Sequence, residues 1–332
     1  MNAEFASTPP DPNVRTQGGE CSEALSRTAA TAPIAPGGPA DPEGPNRRRV
    51  LGRLAALAGA PLVADMLASS AAAQTSPDDG LGDFALLNVV LSLEYLQFEL
   101  FNSAINGAVD LGAAFRGANP GSVTGEGPVP DLSGEAAALV AEGADLEARH
   151  IMVLRAFMEG YGRRPVDRPA LDLTASVTLL APAGSRLARS PFAGTDALFT
   201  TLLLVEEVAV GVYAAIVQRA ADPNVRTVML QILAAEGYQG GALRTLMRQR
   251  GLSDAAAAVT RIVDTRGGLT EGGAVAETGL GDAAVANLVP ADTSGFILPR
   301  RLSTALRVLY GGDAPGGFFP AGILIAPGGR RI

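Results

Sequence analysis

The chain has 332 residues, a net charge of −8, one cysteine, one histidine, and no lysine or tryptophan. The acidic balance argues against nucleic acid and anionic membranes as partners. The lone Cys21 and the lone His150 exclude intrachain disulfides, zinc–cysteine sites and iron–sulfur clusters, and a Ser-His-Asp triad would have no G-x-S-x-G to support it.

Residues 1–45 are rich in Pro, Gly, Ala, Ser and Thr and lack apolar periodicity, the composition of a disordered extension. Residues 46–73 read as a twin-arginine-type export signal. Arg47 and Arg48 lead an apolar run, and Ala71-Ala72-Ala73 offers small residues for cleavage. Arg53 and Asp65 interrupt that run, which argues against a transmembrane helix. The expected mature chain therefore begins near Gln74 without Cys21, is periplasmic or extracellular, and has no membrane span.

Four glycine-poor apolar segments follow, at about 83–109, 134–159, 195–221 and 223–251. Helices of about 25 residues would each be roughly 38 Å long, a matched set suited to a bundle. The fourth starts at Asp222-Pro223, with proline in the first turn where helices tolerate it. Between the first two segments, residues 112–131 read as a Gly/Pro-rich surface loop. Between the second and third, a stretch carrying Pro165, Pro169, Pro182 and Pro191 can run the length of the bundle. The expected fold is all-α: a four-helix bundle over 80–252 with a long crossover between helices two and three, then a C-terminal extension over 253–332. That extension contains helices near 253–264 and 299–310, and its Phe and Leu residues need cover against the bundle.

Each predicted helix carries a carboxylate at core spacing. Glu94 shares a face with Leu87, Val90, Leu91, Phe98 and Phe101, and Glu147 and His150 sit among Val140, Ala144, Ile151 and Leu154. The third segment is apolar all round, so either Glu206 or Glu207 can face inward; Glu206, on the bulkier face with Phe199, Leu202 and Tyr213, is favoured. Glu236 lies among Met229, Ile232, Leu233 and Leu243, with Gln239 three residues on. The order is Glu, Glu-x-x-His, Glu, Glu-x-x-Gln, one set per helix. Carboxylate-bridged di-metal bundles use this pattern with a second Glu-x-x-His. Four ionised carboxylates in an apolar interior are too costly alone: they are protonated, or cations sit among them. Glu94, Glu147, His150, Glu206, Glu236 and Gln239 are thus the expected metal site, for iron or manganese. Gln239 is a neutral, poor ligand, so a single ion is the alternative to a pair. Tyr95, Tyr213, Tyr238 and Glu207 are candidates for the surrounding hydrogen-bond layer.

These residues resemble the ferritin-like superfamily, and its desiccation-related branch in particular. The resemblance lies in Leu93-Glu94-Tyr95-Leu96, in Glu147-Ala148-Arg149-His150 followed by Leu154-Arg155-Ala156, and in Glu236-Gly237-Tyr238-Gln239. It continues through Ala291-Asp292, Pro299-Arg300, Val308-Leu309-Tyr310-Gly311 and Gly316-Gly317-Phe318-Phe319-Pro320. It implies a ferritin-like bundle and a role in desiccation or oxidative stress, with glutamine at the position of Gln239 as part of the branch pattern.

Two functions follow as expectations. One is a metal-dependent redox protein acting on peroxide or oxygen, by peroxide dismutation or ferrous oxidation. The other is a non-enzymatic stress or structural protein of the cell envelope that keeps the bundle with one metal or none. A homo-oligomer is open under either.

Overall fold

The computed structural model describes residues 81–180, 189–267, 279–281, 285–291, 295–297 and 299–332. The N-terminal extension, the twin-arginine segment with Arg47 and Arg48, and Asp292 of the tail lie outside them.

The fold is all-α. Helix α1 spans Asp83–Asn106, α2 Gly134–Gly160, α3 Thr195–Arg219 and α4 Pro223–Gln249. After the bundle come α5, Ser253–Gly267, and α6, Leu302–Tyr310. Helix α1 stops earlier than its apolar pattern suggested because Gly107, at φ +66°, turns the chain and gives its N–H to Ser103 O. Asp222 caps α4, accepting from Asn224 N at 2.8 Å, with Pro223 in the first turn. Pro299 and Arg300 precede α6 rather than join it; Arg300 N donates to Gly211 O of α3 at 2.8 Å.

Contacts at the helix ends establish direction. Asp83, at the start of α1, accepts from Ala221 N and Asp222 N, where α3 ends and α4 begins. Phe84 meets the Tyr161 ring at the end of α2, and Tyr161 receives a hydrogen bond from Asn224. At the other end, Asp131 accepts from Thr195 N, and Asp196 binds Arg250. Helices α2 and α3 therefore run parallel, and the crossover carries the chain the length of the bundle. That topology is the one the proline-rich connection called for.

The crossover is partly ordered by pairing. A two-residue strand, β1 (Val123–Thr124), lies parallel to β2 (Leu171–Asp172), with Val123 opposite Leu171. Nothing in the local pattern announced this ladder, which staples the first loop to the crossover.

Helices α1 and α3 are buried on every face, as apolar surfaces all round demand. Both are long and apolar enough to cross a membrane, yet 89% of the apolar window in each is enclosed by the rest of the chain. Helices α2 and α4 bury one stripe and expose the other. Where α2 meets α1, the chain has Gly143; a β-carbon there would lie 2.7 Å from the Phe101 ring, so glycine permits the close approach. The tail completes the core: Phe318, Phe319 and Ile323 are fully buried, and Asn88 of α1 donates to Ile325 O at 3.2 Å. Burying each such side chain contributes about 1.5–3 kcal/mol.

Candidate metal centre

The four bundle helices each bring a carboxylate to mid-length, so the groups meet whichever way a helix runs. Glu94, Glu147 and Glu236 have no exposed surface, Glu206 has 1%, and His150, at 8%, is barely reached by solvent. One ligand atom from each of Glu94, Glu147, His150 and Glu236 fits in a cluster whose members all lie within 4.8 Å of one another. At its centre is His150 Nδ1, 3.1 Å from Glu94 Oε2, 3.1 Å from Glu236 Oε1 and 3.6 Å from Glu147 Oε2.

That arrangement has more acceptors than donors. His150 Nδ1 shares a hydrogen bond with Glu94 Oε2, while Glu236 Oε1, Glu147 Oε2 and Glu94 Oε1 have none. Orphaned carboxylate oxygens in a buried interior are costly, and gathered beside one imidazole nitrogen they could hold a metal ion. The donor set of three carboxylates and one imidazole suits a divalent metal ion.

On the side away from His150 the partners are amides. Gln97 Nε2 donates to Glu236 Oε2 at 2.7 Å and to Glu206 Oε1 at 3.2 Å. Gln239 Nε2 donates to Glu147 Oε1 at 2.7 Å and to Glu206 Oε1 at 3.2 Å. Tyr213 OH donates to Gln97 Oε1 at 3.1 Å, which fixes that amide with its NH2 toward the carboxylates.

Enclosure dominates the electrostatics. Burial, helped by the Glu94 charge, pushes Glu147 up to about 8. Burial, with Glu236 and Glu147 adding to it, holds Glu206 well above the usual carboxylate range. Glu236 is raised by burial and by Glu147, with His150 acting against. Burial alone would lower His150, but the Glu94 charge and the close carboxylates of Glu147, Glu236 and Glu94 outweigh it and hold the imidazole well above its ordinary value. Burial and the surrounding carboxylates also raise Tyr213. The metal-free centre thus holds protons that a bound cation would displace.

The remaining expected residues divide. Glu206 faces the interior against the two amides, while Glu207 turns to Arg244. Arg244, the partner of Glu207, also donates to Asn287 O and Gly279 O, tying α3 and α4 to the C-terminal extension. Tyr213 touches the centre through Gln97. Tyr95, one residue past Glu94, points to another face of α1, donating to Phe115 O at 2.5 Å and receiving from Arg155. Tyr238 is 85% exposed, on the outer face of α4, and takes no part. The residue sequence reasoning missed is Gln97. Its signal was present: Glu94-x-x-Gln97 repeats the spacing of Glu236-x-x-Gln239.

A family model described as a ferritin-like domain matches residues 82–249. The chain belongs to the ferritin-like domain family. The matched span opens one residue before α1 and closes on the last residue of α4. The match therefore spans the bundle and every residue of the candidate centre, while α5, α6 and the tail lie outside it. No curated protein and no solved structure gave a match.

Proposed function

We propose that this ferritin-like chain is an exported stress protein that binds a divalent transition metal, iron or manganese, at its buried carboxylate–histidine centre. One observation carries the reading: the convergence of Glu94, Glu147, Glu236 and His150 Nδ1 in the buried interior, with carboxylate oxygens left without hydrogen bonds. Those four residues would hold the ion. When bound, it supplies one-electron redox capacity and Lewis acidity toward peroxide or oxygen. The chain's own residues exclude bulk water, and Gln97 and Gln239 hold the outer carboxylate oxygens in place.

Export rests on the Arg47-Arg48 segment, which suits a route that carries folded, metal-loaded proteins. The desiccation or oxidative-stress role rests on the motifs shared with the desiccation-related branch, including the Gly-Gly-Phe-Phe-Pro tail. A non-enzymatic envelope role is the second reading, favoured by amides where a symmetric site would have further ligands.

The test is elemental analysis of purified protein after loading with ferrous or manganous ion, wild type against His150→Ala. Bound metal in wild type that falls sharply in folded His150→Ala supports the reading; equal, near-zero metal in both overturns it.

A further inference from the structure

We infer that the centre is built for one cation, and that the amide groups of Gln97 and Gln239 stand, as hydrogen-bond donors, where a second would sit. This inference rests on the metal-binding reading above.

The argument turns on where each carboxylate oxygen goes. Glu147 and Glu236 each face two ways. Glu147 Oε2 and Glu236 Oε1 lie beside His150 Nδ1, 3.6 and 3.1 Å away. Their other oxygens, Glu147 Oε1 and Glu236 Oε2, each receive an amide N–H at 2.7 Å. In a symmetric centre those outward oxygens, together with Glu206 and a second histidine, would surround a second ion. Here Glu206 Oε1 instead receives one N–H from each glutamine, at 3.2 Å. An amide NH2 carries two hydrogens. Gln97 spends both on Glu206 and Glu236, and Gln239 spends both on Glu147 and Glu206.

Rotating either amide to offer oxygen instead would set a carbonyl against carboxylates and forfeit these bonds. Gln97 is held further, because Tyr213, fully buried, donates to its oxygen. A cation entering this half would have to displace four N–H donors from the carboxylate oxygens it needs, and the glutamines could offer it only neutral amide oxygens where a symmetric site has a further histidine. The His150 half has no amide donor to displace: Glu94 Oε1, Glu147 Oε2 and Glu236 Oε1 have no hydrogen bond, whereas in the amide half the unbonded atoms are Glu206 Oε2 and Gln239 Oε1. Gln97 and Gln239 are thus positioning residues, each acting through the carboxylates it holds.

The experiment is metal stoichiometry on the purified full chain loaded with manganous ion, with electron paramagnetic resonance on the same samples. Wild type is expected to hold one ion per chain, with the signal of an isolated centre. The double variant Gln97→Glu with Gln239→His, which replaces two donors by two ligands, is expected to rise to two ions with an exchange-coupled signal. Two coupled ions in wild type would overturn the inference while leaving metal binding intact. A folded double variant that still holds one ion would overturn the role given to the amides. No ion in wild type would remove the underlying reading and this inference with it. The wild-type result decides between one ion and two even where the double variant fails to fold.

Discussion

Replacing Glu147 by glutamine should flatten the pH dependence of the metal-free protein's stability. Glu147 is enclosed, and its carboxyl is pushed to about 8 against an ordinary 4.5. Between those values the folded chain keeps a proton that the unfolded chain has released. Where the folded state binds more protons, stability falls as pH rises, by about 1.4 kcal/mol per pH unit for each extra proton. Over the whole window one such carboxyl amounts to about 5 kcal/mol, comparable with the entire stability of many domains. Glu206 and Glu236, also raised, act in the same direction. So does His150, whose contribution is full below its ordinary 6.5 and is lost as pH climbs toward its raised value. A bound ion reverses the trend, since ligation favours the deprotonated groups. Denaturant titrations of chelator-treated protein between about pH 5 and pH 8 measure the slope, and Glu147→Gln should make it shallower by about one proton's worth. Wild-type stability that is level or rises over that range, or a variant slope equal to wild type, would refute the reasoning.

Three further outcomes probe the scaffold. Gly143→Ala should destabilise by about 1–3 kcal/mol through overpacking against Phe101, while Gly237→Ala, with nothing within 4 Å of its new methyl, should stabilise by up to about 1 kcal/mol; thermal melts compare the two. Arg244→Met, which takes the guanidinium from buried Glu207 and from two carbonyls of the extension, should cost about 3–5 kcal/mol, with much of it recovered when Glu207→Leu is added, as read by denaturant midpoints. Tyr238→Ala should change stability by no more than about 0.5 kcal/mol and leave metal content unaltered, because its ring stands in solvent.

The division between sequence and structure follows the range of the interactions involved. Helix positions were legible because apolar periodicity, Asp222-Pro223 and the proline-rich connection are local signals. The Glu147-x-x-His150 pair was legible for the same reason: one helical turn places both side chains on one face. Helix α3 resisted, since a helix apolar on every side has no polar face to orient it. Arg244, arriving from α4, pairs with Glu207, while the Gln97 and Gln239 amides hold Glu206. Tyr95 and Tyr238 misled because adjacency in sequence puts neighbouring helical residues on different faces.

What the sequence by itself determined is the inventory and the spacing: four long helices, a carboxylate at the middle of each, and one histidine to share among them. The sequence also places Gln239 where a second histidine would stand; what only the tertiary structure decided is which carboxylate oxygens the amides hold. The Glu94-x-x-Gln97 spacing does not say what Gln97 holds; packing does, by bringing Glu206 and Glu236, 109 and 139 residues away, to its amide. Spacing within a helix sets which side chains share a face. Packing between helices sets which oxygens meet N–H donors and which are left for a cation.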